Sequence, residues 1–305
     1  MMIDNRFKGL GVAMVTPFDS KGMVDFDGLE KITNNLINGG VDFLVVLGTT
    51  GETPTISDPE RYAIIDNVIK TNNNRVPIVA GFGGNDTQHV LKALDDYPMT
   101  GIDAILSVTP YYNRPNQRGL YHHYKAIDSN AKNTPIILYN VPSRTGANLD
   151  AETVLNLAND FENIIGIKEA SGNLQQCMDI LQNRPDNFLF LSGDDNITYP
   201  LMALGGDGVI SVIGNAYPKA MSEMVHFMLD KNFLAGQEKH FELLKIMQLI
   251  FKDGNPAGVK AILKLQGLIE DNLRLPLVKV SDDVFEEIKL EVEKLAADYD
   301  IKVLG

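Results

Sequence analysis

Residues 164–170, which read Ile-Ile-Gly-Ile-Lys-Glu-Ala, form a short apolar run that is interrupted by one lysine. Similar runs recur at intervals of about 25 to 35 residues, and helical patterns lie between them. Eight runs can be counted, at residues 10–17, 43–48, 77–82, 104–109, 135–140, 164–170, 188–192 and 208–213. Continuous apolarity is typical of parallel strands that are buried on both faces. Because eight such strands with crossover helices close into a barrel, the sequence predicts an α/β fold of the (β/α)8, or TIM-barrel, type.

The strand pattern stops after the eighth run. Helical patterns follow at residues 218–231, 235–251, 256–269 and 283–298, and the first of these is assigned to the barrel as its last helix. We therefore predict a barrel over residues 1–230 and a C-terminal helical extension over residues 231–305.

Two helices within the barrel carry start signals. Ser57 stands just before Pro59, and Asp150 stands just before Ala151. Serine and aspartate side chains can accept a hydrogen bond from the first free amides of a helix, and proline is favoured in the first turn. We expect helices to begin at both places, each with its side-chain cap.

The composition argues against several classes of function. The chain has 305 residues, with 27 lysines and arginines against 40 aspartates and glutamates, and this formal net charge of −13 repels nucleic-acid phosphates and anionic membranes. No stretch is apolar enough to span a bilayer, and no basic segment leads into an apolar one at the N-terminus. Cys177 is the only cysteine, which excludes an intrachain disulfide. We expect a cytoplasmic protein that binds neither nucleic acid nor membranes.

Lys168 is the first candidate for chemistry, because the active site of a TIM barrel lies at the C-terminal ends of its strands. Strict alternation along the sixth run puts Gly166, Lys168 and Ala170 on one face, with Ile165 and Ile167 on the other. The small neighbours leave room around the amine. Burial disfavours the charged ammonium, and a neutral amine is what attack on a ketone requires.

Spacing alone leaves a structural interpretation of Lys168 open. Its head could extend to solvent at the barrel mouth, or it could pair with Glu169 or with the acids at residues 194–195. Tyr139 ends the fifth run, and neighbouring parallel strands are only about 5 Å apart. The phenol could therefore meet the Lys168 amine and shuttle protons, or it could be a core tyrosine whose hydroxyl binds the backbone.

Three loops supply further candidates. The segment Gly48-Thr49-Thr50-Gly51-Glu52 follows the second run, and its amides and hydroxyls could hold a carboxylate. Glycine and threonine also occur in such loops for conformational reasons alone. Arg144 is either a carboxylate clamp or a surface charge, and Tyr111 with Tyr112 is either part of a site or loop packing.

No metal or other cofactor is predicted. His122 and His123 are adjacent rather than one helical turn apart, and five histidines without cysteine partners give no metal-ligand pattern. TIM barrels usually bind phosphate after strands seven and eight. Here the seventh run leads into Gly193-Asp194-Asp195, whose negative charge argues against a phosphate or flavin group.

Taken together, these residues resemble the dihydrodipicolinate synthase / N-acetylneuraminate lyase family, nearly from end to end. The resemblance is carried by GTTGE at 48–52, TPYYNRP at 109–115, YNVPSRTG at 139–146, GIKEASGN at 166–173, SGDD at 192–195 and GVISV at 208–212. It implies the condensation of pyruvate with L-aspartate 4-semialdehyde to 4-hydroxy-tetrahydrodipicolinate, on the route to diaminopimelate and lysine. The reaction proceeds through an imine on the enzyme and needs no external cofactor.

The resemblance also assigns roles to the candidates. Lys168 would form the imine with pyruvate, and Tyr139 would donate and accept protons. Thr50 and Tyr112 would complete a relay to solvent, and Thr49 together with Thr50 would hold the pyruvate carboxylate.

Three further roles follow from the same resemblance. Gly193 and Ile210 would line the pyruvate pocket, and Arg144 would receive the carboxylate of the semialdehyde. The family counterpart of Tyr112 comes from a neighbouring subunit. The expected catalytic unit is therefore a dimer, and the expected assembly is a homotetramer built as a dimer of dimers.

Two alternatives to this function stay open. A sister lyase would use the same lysine and tyrosine to cleave N-acetylneuraminate or a 2-keto-3-deoxy sugar acid, but Arg144 and the double threonine favour the synthase. A barrel that binds a metabolite without catalysis is the second alternative. The joint presence of Lys168, Tyr139 and Thr50 argues against it.

Feedback inhibition by L-lysine is predicted to be weak or absent. In regulated family members the lysine site lies at the dimer interface and needs an acid. Asn85 and Tyr111 fit its pattern, but His89 stands where a glutamate is expected and Arg61 where a histidine is expected. Added positive charge opposes a ligand that carries two ammonium groups.

Overall fold

The computed structural model describes residues 4–299, and its eight strands form one closed parallel barrel in the order β1 to β8. The TIM-barrel prediction is confirmed, and every strand falls within or next to its predicted run. The strands are β1 (Gly9–Ala13), β2 (Phe43–Val46), β3 (Ile78–Gly81), β4 (Ala104–Val108), β5 (Ile136–Asn140), β6 (Ile164–Glu169), β7 (Leu189–Ser192) and β8 (Gly208–Ser211).

Nine helices accompany the strands of the barrel within the described residues. They are α1 (Phe26–Asn38), α2 (Asp58–Asn72), α3 (Thr87–Asp96), α4 (Gln117–Asn130), α5 (Pro142–Thr145), α6 (Ala151–Asp160), α7 (Leu174–Asn183), α8 (Thr198–Ala203) and α9 (Pro218–Leu229). Three helices follow, α10 (Phe233–Leu249), α11 (Ala257–Leu265) and α12 (Asp282–Tyr299).

The C-terminal helices pack on the barrel and on one another. Helix α10 runs along α9, and α12 packs against both α10 and α11. The helical extension is therefore present, while the division of the chain at residue 230 stays a prediction. Residues 1–3 and 300–305 of the two predicted parts lie outside the described residues.

The two helix-start signals have different outcomes. Helix α2 begins at Asp58, with a complete capping box between Ser57 and Glu60. Helix α6 begins at Ala151 as predicted, but the Asp150 side chain caps nothing. Its carboxylate accepts a hydrogen bond of 2.7 Å from the Asn148 amide instead. The predicted cap at Asp150 is therefore wrong, because a neighbouring side chain binds the carboxylate.

The strands separate an inner core from an outer one. The side chains that fill the barrel are Phe7, Ala13, Phe43, Val45, Val79, Ala104, Leu106, Ile137, Tyr139, Val141, Ala170, Leu189, Leu191 and Ile210. The larger outer core lies between the barrel and its helices, and it extends under α10, α11 and α12. Catalytic candidates on the inner face are thus held by packing from every strand of the barrel.

The strict alternation predicted for β6 is wrong at one residue. Ile136 pairs with Ile164 and Ile137 pairs with Gly166, so Ile165 is an extra residue in the β5–β6 ladder. A bulge of this kind interrupts the alternation of side chains. Ile165 packs toward the inner core, whereas Ile167 lies in the outer one.

Candidate active site

Lys168 and Tyr139 meet inside the C-terminal end of the barrel. They are register partners on β6 and β5, and the Lys168 Nζ lies 4.3 Å from the centroid of the Tyr139 ring. Lys168 is 3% exposed and Tyr139 is 5% exposed. The amine is thus held against the ring face, where a cation is attracted, and its head does not extend into solvent.

The Tyr139 hydroxyl is available for chemistry. Within residues 4–299 it makes no hydrogen bond, whereas the buried Tyr124 donates a bond of 3.1 Å to the carbonyl of Ser107. A buried phenol usually finds such a partner. The structure therefore does not support the alternative in which Tyr139 is a core tyrosine bonded to the backbone.

Gly193 lies next to the Lys168 side chain, and Ile210 belongs to the inner core of the barrel, while their role in lining a pocket stays a prediction. A Cβ atom on Gly193 would lie 2.6 Å from the Cβ of Ala170 and 3.2 Å from the Cε of Lys168. A side chain there would collide with Ala170 and crowd the lysine. Ile210 belongs to the inner core on β8, so it faces the same space from the far side of β7.

Two acids follow β7 and set the charge around the lysine. Burial raises the pKa of Asp194 to about 6, a rise that nearby Lys168 and Arg144 oppose and that the charges of Asp195 and Glu169 increase. Asp194 is therefore ionised at neutral pH and loses its charge as the pH falls through 6. A negative charge that depends on pH thus lies near the candidate nucleophile, and no pattern in the sequence indicated this pKa.

Asp195 has a different role from its neighbour. It is 2% exposed, and its Oδ2 accepts hydrogen bonds of 3.0 Å and 2.8 Å from the amides of Val212 and Ile213. These amides come directly after β8. Asp195 therefore ties the loop after β7 to the end of β8, next to Ile210.

Glu169 is turned away from Lys168 and belongs to a buried network behind the two strands. It is 1% exposed and accepts hydrogen bonds of 3.0 Å from both Asn140 and Gln176, and one of 2.6 Å from the Ser171 amide. Asn140 and Glu169 directly follow Tyr139 and Lys168 and are register partners. The network thus fixes the ends of the two strands relative to each other.

Arg144 lies on α5, which begins two residues after β5. Its side chain is exposed, and its charge acts on Asp194 across the mouth. An exposed guanidinium at the entrance can receive a carboxylate in a bidentate manner. The role of Arg144 as a carboxylate clamp stays a prediction.

Thr49 and Thr50 occupy a 3₁₀ turn after β2, which stands opposite β6 in the closed barrel. Thr50 is 1% exposed, and its Oγ1 accepts a hydrogen bond of 3.0 Å from the Asn255 amide. Thr49 is half-buried. A small acid bound between the two sides would thus meet hydroxyls on one side and the Lys168 amine on the other.

Tyr112 does not join this group within its own chain. Tyr112 is 90% exposed, and its backbone has a φ of 73°, which is unfavourable for a residue other than glycine. The neighbouring Tyr111 is 40% exposed. The family resemblance placed Tyr112 in a relay with Thr50 as a residue from a neighbouring subunit, and that role stays a prediction.

Between residues 4 and 299, no three histidine, cysteine, aspartate or glutamate side chains converge so that they could hold a metal ion. Over the same range, every helix is too short or too polar to cross a lipid bilayer.

Comparison with known proteins finds close likeness along nearly the whole chain. The model of the dihydrodipicolinate synthetase family matches residues 6–295. A 4-hydroxy-tetrahydrodipicolinate synthase of Phocaeicola vulgatus is 49% identical over 294 residues, which cover 96% of this chain and 99% of the relative.

Solved structures agree with the sequence comparison. A crystal structure of dihydrodipicolinate synthase is 42% identical, with a TM-score of 0.91 over 95% of this chain and 99% of that one. The chloride-inhibited dihydrodipicolinate synthase from Acinetobacter baumannii, solved in complex with pyruvate, is 38% identical. Its TM-score is 0.91, and the match covers 96% of this chain and 99% of that one.

Proposed function

The chain belongs to the dihydrodipicolinate synthetase family, and we propose that its site condenses pyruvate with L-aspartate 4-semialdehyde to 4-hydroxy-tetrahydrodipicolinate. This makes it a class I lyase of lysine and diaminopimelate biosynthesis. The observation that carries the proposal is the buried Lys168 amine, held against Tyr139 at the catalytic end of a TIM barrel. A cytoplasmic location stays a prediction.

The first half of the reaction makes pyruvate a nucleophile. The Lys168 Nζ adds to C2 of pyruvate, and the carbinolamine loses water to give an iminium. Tyr139 is the acid–base group beside the nitrogen, and it supplies the proton with which the hydroxyl leaves. The iminium then draws electrons from the methyl group, which loses a proton to give an enamine. Thr49 and Thr50 would hold the pyruvate carboxylate meanwhile.

The second half joins the two substrates. The enamine carbon attacks the aldehyde carbon of the semialdehyde, and the new alkoxide takes up a proton. The amino group of the semialdehyde then adds to the former C2 of pyruvate and expels the Lys168 amine, which closes the ring and frees the enzyme. Arg144 at the mouth would bind the carboxylate of the semialdehyde, while the Asp194 charge would stabilise the cationic iminium.

A turnover assay tests the proposal against both alternatives. The purified protein is incubated with pyruvate and L-aspartate 4-semialdehyde, and separately with N-acetylneuraminate and with a 2-keto-3-deoxy sugar acid, and products are identified by mass spectrometry. Condensation without cleavage of either sugar acid is the expected result. Faster cleavage of a sugar acid would identify a sister lyase, and a folded protein inactive in all three assays would be a non-catalytic barrel.

We further propose that the working unit is a dimer within a homotetramer. The exposure of Tyr112 supports this, since the ring is free in one chain to enter the barrel mouth of a neighbour. An exposed aromatic side chain on a strained backbone is typical of a residue that becomes packed in an assembly.

Mixing two inactive variants tests the sharing of Tyr112. Tyr112→Phe and Lys168→Ala chains, dissociated and reassembled, should regain about a quarter of the wild-type activity, because half of randomly formed dimers are mixed and each has one intact site. Tagged chains verify that mixed dimers form. A mixture of Tyr139→Phe with Lys168→Ala is the control, since both residues act in one barrel and no intact site arises. Verified mixed dimers without rescue in the first mixture would place Tyr112 in its own subunit.

The region of the predicted lysine site contains a mostly buried arginine and a nearby acid at the surface. The Arg61 side chain is 14% exposed, its charge interacts with Tyr111, and its Nε lies 3.9 Å from Asp58, whose side chain is 63% exposed. His89 is exposed. The other nearby acid, Asp86, caps helix α3 through a bond of 2.9 Å from the Gln88 amide. Neither acid is free and buried, as one that neutralises a bound ammonium would be.

Initial rates measured against L-lysine test the predicted insensitivity. We expect no half-inhibition below about 1 mM, the concentration that corresponds to weak binding. The variant with Arg61→His and His89→Glu restores the charges of the regulated pattern and should become more sensitive, because the added carboxylate attracts the ammonium groups. Strong inhibition of the wild type at lower lysine concentrations would show that Asp58 or Asp86 supplies the acid.

A further inference from the structure

A completely buried ion pair joins the C-terminal extension to the loop that carries the two threonines. Lys260 on α11 and Glu52 at the end of the GTTGE loop (residues 48–52) are both 0% exposed at their side chains. The Lys260 Nζ lies 2.5 Å from Glu52 Oε1 and also donates a bond of 2.8 Å to the Asn272 carbonyl. The catalytic steps above use neither side chain.

The ion pair is placed at the point where the loop backbone is least favourable. Glu52 lies between two 3₁₀ turns and has a φ of 56°, a left-handed conformation that few residues other than glycine adopt. Its second carboxylate oxygen accepts a hydrogen bond of 3.1 Å from the Arg274 amide. Both oxygens of Glu52 are therefore bound by the C-terminal extension, and the turn cannot relax without breaking these bonds.

Two further contacts connect the same parts of the chain. Asn255, which lies between α10 and α11, donates to the hydroxyl of Thr50. The Arg274 guanidinium donates to Glu60 at the start of α2 and, with a bond of 2.8 Å, to the carbonyl of Thr55. The extension thus binds the loop at Thr50, at Glu52 and just beyond it.

Stability alone is a poor explanation of this arrangement. A buried ion pair loses so much hydration that apolar residues of the same volume are often equally stabilising. Charged groups in contact do define a geometry, because displacement of one partner leaves an uncompensated charge in the core. Burial lowers the pKa of Lys260, and the Glu52 carboxylate opposes this change.

We propose that Glu52, Lys260 and Asn255 are positioning residues that hold Thr49 and Thr50 in the shape that binds the carboxylate of the 2-oxo acid. This inference rests on the proposed function, in which the two threonines bind pyruvate opposite Lys168. Their loop and β6 lie on opposite sides of the barrel, so a shift of about 1 Å in the loop would carry the ketone out of reach of the amine. The C-terminal extension is then part of the substrate site.

Three variants test the positioning role. Lys260→Met removes the charge at similar volume, Glu52→Gln removes the opposite charge, and the double variant removes both without leaving an unpaired ion. For each, kcat and the pyruvate KM are measured, and the pyruvate concentration that gives half-maximal borohydride trapping is determined without the second substrate. We expect each KM and half-trapping concentration to rise at least about tenfold, with a smaller change in kcat.

Arg184→Met is the matched control. It breaks the Arg184–Asp207 ion pair, whose acid is buried just before β8, at the opposite end of the barrel from the threonines. The control should lower the melting temperature, as Lys260→Met does, while leaving the pyruvate KM at the wild-type value. All activities are measured below the lowest melting temperature in the set.

The outcomes separate positioning from simple stabilisation. If the double variant regains stability but keeps the raised KM, the ion pair is needed for geometry. If Lys260→Met is destabilised like the control and binds pyruvate normally, the proposal is overturned.

Asn255→Ala covers the case in which the charge variants fail to fold. It removes one neutral hydrogen bond from Thr50, and an unchanged half-trapping concentration would also overturn the proposal. If the wild type forms no pyruvate adduct, both the proposed function and the positioning role are overturned. If the wild type and every variant trap pyruvate normally, only the positioning role is overturned.

Discussion

Lys168→Ala should abolish both condensation and capture of pyruvate. Without the amine no imine can form, and loss of a nucleophile of this kind lowers kcat on the order of 10⁴-fold or more. The protein is incubated with pyruvate and borohydride, and its intact mass and peptide map are recorded. The wild type should carry one reduced pyruvyl adduct, located on Lys168, and the variant should carry none.

Lys92→Ala is a suitable control for that experiment. Its side chain is 73% exposed, and among residues 4–299 its ammonium pairs with Asp96 alone, on the same helix, so the adduct and the turnover should match those of the wild type. An adduct that persists in the folded Lys168→Ala variant, together with residual condensation, would mean that another amine is the nucleophile.

Local patterns made much of the fold predictable from the sequence. Strands buried on both faces need continuous apolar runs, and those runs located all eight strands. Because side chains alternate along a strand, the pattern also put Lys168 on the same face as Gly166 and Ala170, and it did not show which face points into the barrel. The bulge at Ile165 was not predictable, since consecutive isoleucines fit either face and only the pairing with β5 shows the extra residue.

The features of the site that were not predicted depend on contacts between residues far apart in the sequence. Glu52 and Lys260 are 208 residues apart, and nothing local indicates that they meet. A signal for Lys260 did exist, because it stands in the apolar helix AGVKAILKL much as Lys168 stands in an apolar strand. Helical periodicity shows on which face of the helix such a lysine lies, but it does not identify the residue with which the lysine pairs. The pKa of Asp194 likewise depends on burial and on charges from other strands.

The hydroxyl oxygen of Tyr139 decides whether this tyrosine is an acid–base group or only packs against Lys168. Tyr139→Phe keeps the ring that lies 4.3 Å from the lysine nitrogen, so the packing and the attraction of the ring face remain. Only the hydroxyl is lost. If the phenol transfers protons, kcat should fall about 10²- to 10⁴-fold, while the pyruvate KM changes little and the borohydride adduct still forms, more slowly.

Tyr124→Phe is the control, because it removes a hydroxyl of similar burial from the neighbouring part of the fold. Tyr124 is fully buried, and its hydroxyl donates to the Ser107 carbonyl on β4. That variant should lose about 1 kcal/mol of stability with the hydrogen bond and keep its kcat. Steady-state rates and melting temperatures of both variants decide the matter. A Tyr139→Phe enzyme with nearly wild-type kcat would exclude the phenol as the proton carrier, and the acid–base group would then have to be sought elsewhere near the nitrogen, with Asp194 and its pKa of about 6 as the next candidate.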